Sequence, residues 1–273
     1  MSLQDHYASI RPGIFAFIPK YRAPGQRGPL PPIIGTGFLV REDGLAMTNA
    51  HVINAFREVF RPDGIPDSDW CIQGLFLVRD KAAMMALRID VAAVLRMDTL
   101  AKDADSTKQA PDIGLVHMAV SETPFLDLEE HADLQEGMTV ATAGFPSGKR
   151  ALESPAGIQL GPTLQKGIIS AIIPFPKPKP SAFAISVMSH GGASGSPVFD
   201  PHTGKTLGLL FSSLQDVGVL DQGTATYAMP TSITYAVPGH YLVSALSMAP
   251  CQLPCHPSFN NRVREHKNNP DIA

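Results

Sequence analysis

Short apolar segments separated by turn residues recur along the whole chain. They combine β-branched and other apolar residues, a composition typical of strands that pack on a core. The predicted strands are residues 37–41, 74–79, 91–97, 113–119, 139–144, 167–173, 183–187, 197–200, 206–212 and 226–229. The 23 glycines and 25 prolines are scattered between them and leave little room for long helices. The pattern therefore predicts an all-β protein.

A polar, acidic stretch between Val120 and Gly137 divides these strands into two groups. Such a change in composition is typical of a linker between domains. We therefore expect one β-domain over residues 1–125 and a second over residues 126–238. In the remainder, residues 239–273, the pattern predicts a short amphipathic helix at 240–248 and a loosely held polar tail from 260 onward.

Composition and charge exclude several classes of function. With 44% hydrophobic and 17% charged residues, the chain has the composition of a globular protein with a sizeable core. The net charge of -3 and the lack of a dense Lys/Arg cluster argue against a nucleic-acid partner. The apolar runs are too short to cross a membrane, and residues 1–11 lack the apolar core of a signal peptide. We therefore expect a cytoplasmic protein.

The cysteine content indicates neither a disulfide framework nor a zinc site. There are three cysteines, Cys71, Cys251 and Cys255, whereas a structural zinc takes about four ligands. Cys251 and Cys255 could pair or stay reduced. The odd number and the absence of a leader favour reduced thiols. We expect no metal.

Ser194 is the first candidate for chemistry. It lies in residues 191–197, Gly-Gly-Ala-Ser-Gly-Ser-Pro, where small neighbours would expose a hydroxyl at a tight turn. Gly192 and Gly195 allow the backbone to come close to a substrate carbonyl, so that two N–H groups could bind one oxyanion. By itself the segment is equally compatible with a Gly/Ser-rich turn that has no chemistry.

His51 is the candidate base for that serine, because a serine hydroxyl is a weak nucleophile until a base accepts its proton. The chain has nine histidines, and His51 is distinguished by following a predicted turn and strand, Gly-Thr-Gly-Phe-Leu-Val at residues 35–40. A single histidine is more often structural than catalytic, so this choice depends on what accompanies it.

Three segments, in the order His, Asp, Ser, resemble the trypsin-like peptidases of the chymotrypsin fold. The resemblance is closest to the bacterial branch with HtrA-type and glutamyl-endopeptidase-like enzymes. Residues 48–52, Thr-Asn-Ala-His-Val, are similar to the histidine motif, and residues 112–116, Asp-Ile-Gly-Leu-Val, to the aspartate motif. Residues 192–197, Gly-Ala-Ser-Gly-Ser-Pro, are similar to the serine motif, and the similarity extends over residues 33–238. An α/β-hydrolase would have the order Ser, acid, His instead.

The resemblance implies two six-stranded antiparallel β-barrels with the active site in the cleft between them. It implies that Ser194 attacks a peptide carbonyl, that His51 transfers the proton and that Asp112 orients His51. The oxyanion would bind the N–H groups of Gly192 and Ser194, and no cofactor is needed. Asp98 remains the alternative acid. The expected function is therefore a serine endopeptidase acting on a protein or peptide.

The family layout also implies where a substrate side chain would bind. Its positions form the base and the walls of a pocket: Met188, His190, Phe211, Ser212 and Ser213, with a further wall from residues 223–226. Met188 is uncharged, and Leu210 stands where glutamyl-specific relatives have a histidine. A small or apolar side chain is therefore expected at the residue that precedes the cleaved bond.

Two departures from the digestive enzymes bear on regulation. Ala193 stands where zymogen-activated relatives have an aspartate that pairs with a new N-terminus, so the resemblance implies no such switch. The residues after Pro238 are too few for a PDZ-type domain, so a partner-binding module would belong to another protein in a larger pathway. Two alternatives remain: a catalytically silent peptide-binding protein with the protease fold, and an esterase with the same triad.

Overall fold

The computed structural model describes residues 2–28, 30–80, 83–98, 111–148, 153–154, 157–158, 161–174, 179–220 and 225–268. These residues include two closed antiparallel barrels of six strands each. The first barrel has the strand order β1-β2-β3-β6-β5-β4 and comprises β1 (Ile14–Pro19), β2 (Gly35–Leu39), β3 (Leu45–Thr48), β4 (Ile72–Asp80), β5 (Ala83–Asp98) and β6 (Ile113–Met118).

The second barrel follows residues 119–138, which form no strand. Its order is β10-β11-β14-β13-β12-β7, and it comprises β7 (Thr139–Gly144), β10 (Thr163–Ile173), β11 (Ala182–Ile185), β12 (Pro197–Phe199), β13 (Thr206–Leu220) and β14 (Ala225–Pro238). A small two-stranded sheet pairs β8 (Glu153–Ser154) with β9 (Gly157–Ile158).

Apolar side chains fill each barrel and also join the two. In the first barrel the ring of Phe15 lies 4.9 Å from that of Phe17 and 4.5 Å from that of Phe76. A separate buried cluster includes Phe38 of the first barrel and Phe199 of the second. Because apolar burial contributes about 25 cal/mol per Å², this shared cluster holds the barrels in a fixed relation and defines the cleft between them.

Within the described residues four α-helices accompany the barrels: α1 (Leu3–Ile10), α2 (Ala50–Ala55), α3 (Gly239–Ser247) and α4 (Phe259–Asn268). The N-terminal helix α1 packs on the second barrel, where Tyr7 Oη donates to Pro162 O at 3.0 Å. The C-terminal helix α4 packs on the first barrel, with the ring of Phe259 5.6 Å from that of Phe76. The N-terminal helix therefore contacts the second barrel, and the C-terminal helix contacts the first. No helix of the described residues is long and apolar enough to cross a membrane.

The all-β, two-barrel prediction is confirmed, and the sequence pattern missed particular elements. Strands β1 and β3 were not predicted, and β13 and β14 extend well beyond the segments expected there. Helix α3 occupies the segment expected to be helical. The polar stretch expected as a loose tail forms α4 as far as Asn268, and residues 269–273 lie outside the described residues. The cysteines Cys71, Cys251 and Cys255 are free thiols.

Candidate active site

His51 and Asp112 form a hydrogen-bonded pair at one edge of the first barrel. His51 Nδ1 lies 2.5 Å from Asp112 Oδ2, and the main-chain N–H of His51 donates to Asp112 Oδ1 at 3.1 Å. The Asp112 side chain is 6% exposed, whereas that of His51 is 48% exposed. Because a carboxylate only accepts hydrogen bonds, the hydrogen of this contact is on Nδ1, and in the neutral imidazole Nε2 then has the lone pair that a general base requires.

Local sequence explains how these two side chains meet. Strand β3 ends at Thr48 and α2 begins at Ala50, so His51 lies in the first turn of that helix. Thr48 pairs with Gly114 in the register between β3 and β6, which brings Asp112, just before β6, beside the start of α2. Asn49 Nδ2 donates to the carbonyl oxygen of Asp112 at 2.8 Å and fixes the segment that carries the acid.

Ser194 lies at a tight turn that leads into strand β12. Gly195 follows it with a φ of +88°, and a Cβ at this position would come within 2.0 Å of the Thr36 carbonyl oxygen. Only glycine fits this backbone conformation without strain. The segment contains two serines. The hydroxyl of Ser196 donates to Ala193 O at 2.6 Å, whereas the hydroxyl of Ser194 has no protein partner among the described residues.

The nucleophile turn sits directly against the first barrel. The main-chain N–H of Thr36 in β2 donates to the carbonyl oxygen of Ser194 at 2.8 Å. A Cβ at Gly35 would come within 2.7 Å of Val52 and within 3.3 Å of the same oxygen of Ser194. Since Val52 follows His51 in α2, this packing brings the helix of the histidine and the turn of the serine to the same residue, Gly35. The described contacts include no hydrogen bond between Ser194 Oγ and the His51 ring.

The residues before Ser194 form a second turn, in which Ala193 N–H donates to His190 O at 3.0 Å. Gly192 is its third residue and has a φ of +95°, the geometry of a type II turn. Among the described residues, no acceptor is found for the N–H of Gly192 or of Ser194. Two backbone donors that flank the nucleophile are therefore available to a bound group.

A cavity of about 460 Å³ opens beside Ser194. The residues that line it carry hydroxyl, imidazole or apolar groups: Ser189, His190, Gly191, Ser194, Leu210, Phe211, Ser212 and Ser213. No Asp, Glu, Lys or Arg belongs to the described lining. The cavity is therefore suited to an uncharged side chain.

Most of the residues proposed from the sequence are brought together here, and one is not. His190, Phe211, Ser212 and Ser213 line the cavity. Met188, expected at its base, is 46% exposed and is replaced in the lining by the buried Ser189. The cause is the local alternation along residues 187–189, which turns Val187 and Ser189 inward and Met188 outward. Of the further wall at residues 223–226, positions 223 and 224 and the side chains of positions 225 and 226 lie outside the described residues.

The choice between the two candidate acids follows from position. Asp112 contacts His51 as described above, whereas Asp98 ends β5 opposite Ile113, and its side chain lies outside the described residues. Sequence reasoning missed Thr36, Thr48 and Phe145 as parts of the site. The Gly-Thr-Gly-Phe segment, which contains Thr36, resembled a strand of the family. The neighbouring sequence did not indicate which groups the Thr36 hydroxyl would contact.

The described residues contain no cluster of three or more His, Cys, Asp or Glu side chains that could hold a metal ion. An oriented imidazole, a serine hydroxyl and two available N–H groups are the components of acyl transfer.

Comparison with known proteins identifies a family and a shared fold. Residues 35–209 match the trypsin-like peptidase domain family. No curated protein sequence is detectably similar to the chain. Among solved structures, a serine endoprotease from Yersinia pestis superposes with a TM-score of 0.55 at 16% identity, covering 90% of this chain and 66% of that one.

Two further solved structures have the same fold. The HtrA-type protease AlgW, in a structure with a decapeptide, gives a TM-score of 0.54 at 14% identity, over 90% of this chain and 67% of that one. Deg5 gives a TM-score of 0.52 at 17% identity, over 88% of this chain and 90% of that one. This chain thus spans about two thirds of the length of the Yersinia protein and AlgW.

Proposed function

The chain belongs to the trypsin-like peptidase family, a family of serine proteases, and we propose that it is a serine endopeptidase whose nucleophile is Ser194. The observation that carries the proposal is the pairing of His51 Nδ1 with the buried carboxylate of Asp112. The helix of His51 and the turn of Ser194 both pack at Gly35, and the Ser194 hydroxyl has no partner among the described residues.

The proposed reaction has two stages. Ser194 Oγ attacks the substrate carbonyl carbon while His51 Nε2 accepts its proton, and His51 then gives that proton to the leaving amine. Water, deprotonated by His51, hydrolyses the resulting acyl-enzyme and releases Ser194. The negative charge on the carbonyl oxygen is bound by the N–H groups of Gly192 and Ser194, a type of interaction worth about 100- to 1,000-fold in rate per donor. The hydrogen bond between serine and histidine commonly tightens only when substrate binds.

The cavity beside Ser194 would bind the side chain that precedes the cleaved bond. Because Ser189, Ser212 and Ser213 contribute hydroxyls and Phe211 an apolar wall, the cavity favours uncharged side chains over acidic or basic ones. We therefore propose proteins or peptides with a small or apolar residue at that position as substrates.

Labelling with a fluorophosphonate tests the nucleophile directly. The intact chain should react, whereas Ser194→Ala and His51→Ala should not. Ser247→Ala is the matched control, because it removes an exposed serine hydroxyl that bonds only within its own helix. If the intact chain takes no label, or Ser194→Ala labels equally well, the assignment is wrong.

Digestion of a peptide library separates the remaining alternatives. Cleavage of internal peptide bonds indicates an endopeptidase. Labelling with hydrolysis of esters alone indicates an esterase, and an unlabelled protein that still binds peptides indicates a catalytically silent binding protein.

A further inference from the structure

Thr36 connects four segments of the site through one residue. It is fully buried in β2. Its main-chain N–H donates to Ser194 O at 2.8 Å, and its carbonyl oxygen accepts a hydrogen bond from Thr48 Oγ1 at 2.7 Å. Its hydroxyl donates to Gly192 O at 2.7 Å and accepts the N–H of Phe145 at 3.2 Å. A threonine hydroxyl has a single hydrogen to donate, and here that hydrogen goes to the turn before the nucleophile.

This bond holds the peptide group between Gly192 and Ala193. Its carbonyl oxygen is held by the Thr36 hydroxyl, and its N–H is held by His190 O at 3.0 Å. Type I and type II turns differ mainly in the orientation of their central peptide group, which here carries the N–H of Gly192. The two peptide groups meet at the Cα of Gly192, whose φ is +95°. Once the following group is anchored, rotation at this single residue orients the Gly192 N–H.

Packing against Phe145 supports the same geometry. A Cβ at Gly192 would come within 2.4 Å of Phe145 O, so the turn lies directly on this loop. The N–H of Phe145 in turn bonds the Thr36 hydroxyl. The neighbouring side chain in the turn, Ala193, has no polar group that could anchor it, so the polar anchor comes from the first barrel.

We infer that Thr36 is a positioning residue that holds the turn of residues 190–194 in the conformation that presents the Gly192 N–H to the oxyanion. The inference rests on the proposed function and deepens it. It makes the oxyanion site dependent on the docking of the two barrels, because the anchor belongs to one barrel and the donors to the other. Preorganised donors stabilise the transition state more than the bound substrate, so the main effect of Thr36 falls on the chemical step.

The test compares Thr36→Val, which removes the hydroxyl at nearly constant volume, with Thr36→Ser, which keeps it. Thr123→Val is the control, because it removes another buried threonine hydroxyl that bonds a backbone carbonyl, far from the turn. Each protein is assayed with a peptide p-nitroanilide that ends in leucine. Each is also assayed with the peptide aldehyde of the same sequence, whose adduct with the serine uses the oxyanion donors.

Thr36→Val should lower kcat roughly 10- to 100-fold, less than the loss of a whole donor, because the donor is displaced but still present. The aldehyde should bind weaker by a similar factor, while KM changes by less than about threefold. Thr36→Ser and Thr123→Val should keep kcat within about threefold of the intact chain. If Thr36 had only a structural role, Thr36→Val would lower the fraction of folded protein. It would not weaken aldehyde binding more than it raises KM for the substrate.

Several results would overturn the inference: an unchanged kcat in Thr36→Val, an equal loss in Thr36→Ser, or a loss of kcat without weaker aldehyde binding. If Thr36→Val does not fold, Thr36→Ala is measured in the same way, because its smaller side chain leaves space for a water to bond Phe145 N–H. Failure of the intact chain to react with the fluorophosphonate would instead count against the proposed function, whatever Thr36 does.

Discussion

The main-chain N–H of Thr36 in the first barrel donates a 2.8 Å hydrogen bond to the carbonyl oxygen of Ser194 in the second. The proposed nucleophile is thus attached by its own backbone to the barrel that carries His51. The barrels also share a buried apolar cluster, so backbone hydrogen bonding and apolar packing both join the nucleophile turn to the first barrel.

Gly195→Ala should strongly destabilise the protein. Its Cβ would come within 2.0 Å of Thr36 O and 2.4 Å of Thr48 Oγ1, at a φ of +88° that non-glycine residues rarely adopt. Steric overlap and backbone strain together should lower the free energy of unfolding by about 2 kcal/mol or more, measured by urea denaturation. Gly191→Ala is the control, since a Cβ there meets nothing within 4 Å. Equal stability of both variants would contradict this packing.

Asp112→Asn should lower kcat by about 10,000-fold while the protein stays folded. The asparagine amide donates to His51 Nδ1, so the imidazole proton moves to Nε2 and the ring can no longer accept the proton of Ser194. Steady-state hydrolysis of a peptide substrate measures the loss. Asp63→Asn, at an exposed position, controls for the change of charge. A kcat close to that of the intact chain would point to another acid.

Ser189→Asp should change the preference at the residue before the cleaved bond. Ser189 is buried and lines the cavity beside Ser194, so a carboxylate there would face the substrate side chain. The ratio of kcat/KM for arginine over leucine peptides should rise about tenfold or more, equivalent to roughly 1.4 kcal/mol. Ser247→Asp, on an exposed turn of helix α3, should leave the ratio unchanged. An unchanged ratio in Ser189→Asp would place the substrate side chain elsewhere.

Phe259→Ala should lower the free energy of unfolding by about 3 kcal/mol, because it deletes a buried ring that packs on Phe76. Phe125→Ala removes a ring that is 45% exposed and should cost much less. Chemical denaturation of both variants checks the difference. Comparable losses would show that helix α4 contributes little to the first barrel.

His117 should make the protein less stable in mild acid. Burial, and next the neighbouring ring of His256 at 4.9 Å, lower the pKa of His117 below its ordinary value of 6.5, while the backbone and carboxylate of Asp43 oppose them. The unfolded chain therefore takes up the proton more readily than the folded protein. This contribution to stability is fully present above pH 6.5 and declines as the pH falls below it.

Urea unfolding at pH 7.5 and 5.5 measures this effect, and His117→Gln should reduce the loss of stability between the two. Exposed His131 provides the control, as His131→Gln. If His117→Gln loses as much stability on acidification as the intact chain, other groups are responsible.

The sequence alone was sufficient for the features that depend on local pattern. The apolar segments predicted an all-β chain, and three motifs in order indicated His51, Asp112 and Ser194. Such motifs are readable because each side chain must stand on a particular local backbone, for example the glycine-dependent turn around Ser194. The polar character of residues 260–273, by contrast, suggested a loose tail, because the pattern could not show that Phe259 and its helix pack on a distant strand.

Relations between residues far apart in the chain became visible only in the folded protein. Thr36 and Gly192 are 156 positions apart, yet one hydroxyl hydrogen bond joins them. Met188 rather than Ser189 was expected in the cavity, because which side of a short segment faces inward depends on the packing around it. The motifs were enough to indicate which residues could carry the chemistry. Barrel closure and docking decided which of them meet, since those contacts form only when distant strands are buried together.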